Sequence, residues 1–122
     1  MTSQKSDNAV KTNKVMTDVI MIGAGPSALA AAVYTTREDI KTILLEKGVV
    51  GGLAAITDQV DNYPGFPEGV TGLDLAEKLE KQAERFGADI RYGEVTNITS
   101  DSKNSTVSVQ TVDGTEYTAK AV

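Results

Sequence analysis

The sequence predicts an α/β fold: a parallel sheet wound with helices, continued by an antiparallel β-meander. Three observations carry this reading. The apolar run Asp18-Val19-Ile20-Met21-Ile22 passes through Gly23-Ala24-Gly25-Pro26-Ser27-Ala28 straight into a helical stretch, Leu29 to Tyr34. A second apolar run of strand length, Lys41-Thr42-Ile43-Leu44-Leu45-Glu46, follows it and ends in an acid. Beyond Glu94 the pattern changes to short alternating segments separated by turn residues. Unalternated apolar strands belong inside a parallel sheet covered on both faces, whereas alternating ones suit an antiparallel sheet with one face in water.

Taken in order, Met1 to about Val15 is polar, rich in Ser, Thr, Asn and Lys, and is expected to be a disordered tail. The first strand then feeds a helix through G-x-G-x-x-A. Gly23 allows a reversal that a Cβ would forbid. Gly25 lets the backbone approach a ligand, and Ala28 is small enough for the helix to pack on the strand. Pro26 suits the first helical position, where its missing N–H costs nothing. The free amides and positive dipole end of that helix form an anion site without any Lys or Arg. Glu46 falls about twenty residues beyond the turn, where a carboxylate accepts hydrogen bonds from ribose hydroxyls. The whole is the Rossmann-like βαβ pattern of an adenine-dinucleotide site. The same carboxylate repels a 2′-phosphate, so FAD or NAD is expected in preference to NADP.

Thr36-Arg37-Glu38-Asp39 closes the first helix. The segment Lys47 to Val70 is rich in Gly and Pro and longer than a simple dinucleotide fold requires. Two readings stand for it. It is a structural Ω-like loop with turns at Pro64-Gly65 and Pro67, or Gly51-Gly52 brings backbone amides against a ligand. Thr71 and Asp74 then open a second helix as a capping box. Leu75, Leu79, Ala83 and Phe86 share its apolar face, while Glu77, Lys78, Glu80, Lys81 and Glu84 lie towards solvent. Gly87 stops it, and Ala88 to Tyr92 is the third parallel strand. Glu94 to Ser100, Ser105 to Val112 and Thr115 to Val122 make the meander, with turns at Asp101 to Asn104 and at Asp113-Gly114.

Composition narrows the function. Seventeen acids against twelve bases give a net charge of −5, which argues against a nucleic-acid partner. With no Cys and no His, thiol chemistry, histidine base catalysis and most transition-metal sites are absent from these residues. The lack of Cys fits a cytoplasmic location. Lys5, Lys11 and Lys14 precede an apolar stretch, Val19 to Val33, but Asp18 and the glycine turn interrupt it. Neither a signal peptide nor a membrane span is expected.

On these residues the chain resembles the N-terminal part of the bacterial thioredoxin reductases, the low-molecular-weight class of FAD/NAD(P)-linked disulfide reductases. The resemblance runs from Asp18 to Val122. It is carried by Gly23-Ala24-Gly25-Pro26, Leu45-Glu46-Lys47-Gly48, Gly51-Gly52, Asp61-Asn62-Tyr63-Pro64-Gly65-Phe66-Pro67, the helix Gly72 to Gly87 and the closing Tyr117 to Val122. The Asn-Tyr-Pro-Gly run after a double glycine is the most specific of these. The resemblance implies that residues 16–122 are the N-terminal portion of an FAD-binding domain. It places the FAD pyrophosphate at Gly23, Ala24, Gly25, Pro26 and Ser27, and the adenosine ribose at Glu46. Lys47, Gly51 and Gly52 line the cofactor, Asn62 hydrogen-bonds near the flavin ring, and Val95 offers backbone contact to the adenine. Ser27 and Ala28 stand where the family more often has Ala-Gly. Leu53 stands where a Gln is common beside the flavin side chain, which removes one polar contact.

The reaction implied for the full-length family is hydride transfer from NADPH to FAD and then electron transfer to a protein disulfide. NADPH and a Cys-x-x-Cys pair are expected outside this chain, which reads as a piece of such an enzyme. A thioredoxin-like substrate and a homodimer are expected for the full-length protein. The alternatives are a ferredoxin-reducing relative without the cysteine pair, a stand-alone adenine-nucleotide module, and an inert truncated product.

Overall fold

In a computed structural model, which describes residues 13–122, the two unalternated apolar runs are adjacent parallel strands. In chain order the elements are β1 (Lys14–Met16), β2 (Val19–Ile22), α1 (Pro26–Arg37), β3 (Thr42–Glu46), a 3-10 turn (Gly52–Ala54), β4 (Gln59–Val60), β5 (Val70–Thr71), α2 (Gly72–Arg85), β6 (Asp89–Tyr92), β7 (Val95–Asp101), β8 (Thr106–Thr111) and β9 (Glu116–Ala119). The parallel sheet has the order β2-β3-β6. The meander is a second sheet of order β1-β9-β8-β7, and β4-β5 is a two-residue ribbon.

The parallel sheet lies between two layers, which is why β3 does not alternate. Leu44 points into a core with Leu29 and Ala32 of α1 and Leu75, Leu79 and Ala83 of α2. Its neighbours Ile43 and Leu45 point the other way, into a core with Ile20 of β2, Val109 of β8 and Tyr117 of β9. The meander is therefore the cover of the sheet's second face.

The first strand of that cover lies partly in the segment expected to be a disordered tail. Lys14 and Val15 pair in parallel with Glu116 and Tyr117, and Glu116 N–H donates to Asn13 O at 2.8 Å. Val15 packs on the second core, and this burial holds a segment too short and polar to announce itself. The remainder of the expected tail, residues 1–12, lies outside the described residues.

Both helix boundaries follow the sequence signals. α1 begins at Pro26 with no side-chain cap. α2 is capped by Thr71, whose Oγ1 accepts from Asp74 N–H at 3.2 Å. The acid of that expected capping box turns instead to Lys78, 2.7 Å away. Glu80, expected towards solvent, is half-buried; burial comes first, and then the neighbouring Glu84, in pushing its carboxyl above the usual range. The Lys47–Val70 segment is tied at its far end by β4-β5 and packs Val50, Val60, Tyr63 and Phe66 on the helix-side core.

Candidate adenine-dinucleotide site

The site grows from the turn between β2 and α1. Gly23 has φ +105°, a conformation closed to ordinary side chains, and its N–H donates to Leu45 O at 2.7 Å. Gly25 differs. Its backbone, at φ −80° and ψ −176°, is open to any residue, and a Cβ built on it meets no atom within 4 Å. Nothing inside the protein requires a glycine there, so the space above it is a cradle that a side chain would fill. The first helical bond runs from Leu29 N–H to Gly25 O. The amides of Ser27 and Ala28 have no protein partner among the described residues, at the end of α1 where the dipole favours an anion.

Beside this turn lies a cavity of about 370 Å³, lined by Ile22, Gly23, Leu45, Glu46, Lys47, Gly93, Glu94 and Val95. Parallel pairing brings these together: Ile22 is in register with Leu45, and Leu45 with Arg91. Gly93 N–H then donates to Glu46 O at 3.0 Å and leads into β7. A register shift between Val95 and Asn97 interrupts the β7-β8 ladder at the cavity mouth, where the Thr96 hydroxyl donates to Gln110 O at 3.2 Å. Aliphatic walls with two carboxylates and an open backbone suit an uncharged ring and a ribose.

Glu46 Oε1 accepts from Ala24 N–H at 2.9 Å, and Oε2 from Gly48 N–H at 2.8 Å. Each oxygen keeps a lone pair for a ribose hydroxyl. On its other side Glu46 borders a larger cavity, about 480 Å³, that also carries Glu80, Glu84 and Asp89, with Arg91 held by Asp89. No residue of the glycine turn lines that larger cavity, whereas Gly23 lines the smaller one, so the smaller cavity is the one that fits.

The double glycine stacks on the turn. Gly51 N–H donates to Ala24 O at 2.7 Å, and a Cβ on Gly52 would lie 3.5 Å from Gly25 Cα. Gly51 has φ +99°, and a Cβ there would collide with that of Ala76 in α2. Gly52 N–H is likewise bonded within the protein, to Val49 O at 3.0 Å. The two glycines provide close approach between loops.

Thus Gly23, Ala24, Gly25, Pro26, Ser27, Glu46, Lys47, Gly51, Gly52 and Val95 gather around one turn and its cavity. Leu53 follows the double glycine on the 3-10 turn and is 80% exposed, and Asn62 lines a separate hollow formed by residues 61–67. Gly93 and Glu94 belong to no sequence motif; only strand register reveals them.

The fold and this turn are those of a Rossmann-like α/β unit. The family model of the pyridine nucleotide-disulphide oxidoreductases matches residues 17–122, and the chain belongs to that family. It is 41% identical over 105 residues to a thioredoxin reductase of Bacillus subtilis, covering 86% of this chain and 32% of that protein. Among solved structures it is similar to the thioredoxin reductase of Lactococcus lactis, with TM-score 0.78 and 38% identity over 85% of this chain and 33% of the other. A thioredoxin reductase of Streptococcus pyogenes gives TM-score 0.80 and 33% identity, over 87% of this chain and 33% of the other. The resemblance read from the motifs is thereby borne out, and the chain spans about a third of the length of these relatives. No helix among the described residues is long and apolar enough to cross a membrane.

Proposed function

We propose that this chain binds the ADP half of FAD and serves as the FAD-holding segment of an NADPH-dependent, thioredoxin-reductase-like flavoenzyme. One observation carries the binding reading: an uncapped helix start beside a glycine that only an outside group requires, next to a cavity bearing Glu46. The Ser27 and Ala28 amides receive the pyrophosphate, Glu46 the ribose hydroxyls, and Ile22, Leu45 and Val95 flank the adenine. When bound, FAD supplies two-electron redox chemistry between a nicotinamide and a disulfide. This chain's residues bind and orient; with no Cys or His they supply no redox pair.

The thioredoxin-type substrate, the homodimer and the cytoplasmic location belong to the same proposal and rest on the relatives. The binding test is titration of the chain with ADP and with 2′-phospho-ADP, which differ only in the 2′-phosphate. ADP is expected to bind, and the 2′-phosphorylated ligand to be rejected by Glu46. Equal affinity for both, or for neither, would refute the reading.

A further inference from the structure

Glu46 does more than leave room for a ribose. Its two oxygens hold amides from two different loops, Ala24 in the glycine turn and Gly48 after β3, at 2.9 and 2.8 Å. The carbonyl of Ala24 accepts in turn from Gly51 N–H at 2.7 Å. Gly51 is itself pressed against Ala76 of α2. The glycine turn, the Lys47-Gly48 link and the double glycine are therefore joined by one line of hydrogen bonds with the carboxylate at its centre. Two acceptor oxygens and the full reach of a Glu are both needed. A Gln would set an NH₂ against a backbone N–H donor, and an Asp is one methylene too short to serve both amides.

We propose that Glu46 is a positioning residue, a latch that fixes the glycine turn to the double-glycine loop before any nucleotide binds. The segment from Val49 to Val70 is thereby coupled to the adenosine end of the site. Coupling of this kind is reciprocal: whatever orders one loop favours the other. The spare lone pair on each oxygen makes the latch compatible with ribose binding. The latch itself does not depend on the nucleotide reading; only its second test does.

The first test is amide hydrogen exchange in the ligand-free chain at low micromolar concentration, resolved to single residues by electron-transfer mass spectrometry, for wild type, Glu46→Gln and Glu46→Asp. Ala24 and Gly48 lose a partner on any account. Gly51 and Gly52, whose bonds go to Ala24 O and Val49 O, are the reporters, and Val109 in β8 is the reference for global opening. Exchange at Gly51 and Gly52 is expected to speed up about tenfold relative to Val109, equivalent to about 1.4 kcal/mol. Unchanged exchange at Gly51 and Gly52, or equal acceleration at Val109, would overturn the latch.

The second test is calorimetric titration with ADP and 2′,3′-dideoxy-ADP. Glu46→Gln is expected to weaken both, since a loosened turn presents its amides poorly. Loss of affinity for ADP alone would overturn the latch and leave the ribose contact standing. Failure of wild type to bind ADP would refute the site, and the exchange result would then decide the latch by itself.

Discussion

Gly25→Val separates binding from folding better than any other substitution in this chain. Its backbone sits at φ −80° and ψ −176°, which valine adopts, and a Cβ meets nothing within 4 Å. The folded state therefore bears only the difference between Gly and Val at a helix N-cap, about 0.5–1 kcal/mol. Binding is affected far more. The branched side chain fills the space through which a pyrophosphate reaches the first-turn amides. Each hydrogen bond to a charged group contributes about 1.5–3 kcal/mol, so losing one or two weakens ADP by about 2–4 kcal/mol, roughly 30- to 1,000-fold. The assay pairs a urea melt followed by far-ultraviolet circular dichroism with ADP titration by calorimetry. A variant that binds ADP as wild type does would mean the loop is only a turn. One that loses affinity only because it unfolds would refute the claim that nothing in the protein needs this glycine.

Glu46→Ala removes a charged acceptor and is expected to weaken ADP by about 1–3 kcal/mol, read by calorimetry; unchanged affinity would refute the ribose role. Gly51→Ala meets both a φ of +99° and the Ala76 side chain, so it should lower stability by about 2–4 kcal/mol in a urea titration. In the meander the Asn104 side chain and the Thr111 hydroxyl hold the Asp101 and Asp113 carboxyls, respectively, below their usual value of 3.8. Carboxyls depressed in the folded state stabilise it above that value and lose the effect as they protonate. Stability from these turns should thus be flat at neutral pH and fall only below about pH 3.8, whereas Asp113→Asn should flatten part of the acid limb. The 122-residue chain should retain little flavin through purification and should self-associate. Leu53 is exposed, Asn62 lies apart, and Met21 and Ile22 edge the parallel sheet beyond the bridge at Val19. A monomer with stoichiometric FAD in sedimentation and absorbance measurements would refute this.

The parts of the fold legible in the sequence are those where one local rule decides. Pro26 after a glycine turn, Thr71 ahead of Asp74, Gly87 at φ +105° and Asp113-Gly114 each mark an end without help from elsewhere. The parts that were not legible depend on packing between distant segments. Lys14 and Val15 carry no strand signal of their own and pair only because β9 arrives beside them. Glu80 reads as a solvent residue on a helical wheel, yet it is half-buried and faces the larger cavity, beside Glu84 and Asp89. The same holds at the site. Glycine spacing marks the turn between β2 and α1, whereas Gly93 and Glu94 reach the cavity through the β3-β6 register, which no motif encodes. The double glycine was legible as a close approach, but not that its amides would bond inside the protein.

The position of the cavity follows from the order in which the chain lays down its strands. From β2 the chain moves outward, to β3 and then β6. After the meander it returns to the opposite side of β2. Val19 bridges Ala121 in parallel, Ile20 N–H donates to Ala121 O at 3.0 Å, and Lys120 N–H donates to Asp18 O at 3.0 Å. The direction of winding therefore reverses at β2. In open α/β sheets such a reversal leaves a crevice at the carboxyl end of the strand, because the connections on its two sides lead away from each other. Gly23 is the residue that follows β2 at that end. The glycine turn thus sits where topology opens the sheet, with the space above Gly25 clear. The carboxylate of Glu46, one strand over, reaches the turn at Ala24 N–H. Had the chain returned beyond β6 instead, the same glycine motif would stand at an ordinary sheet edge, with no second wall to form beside it.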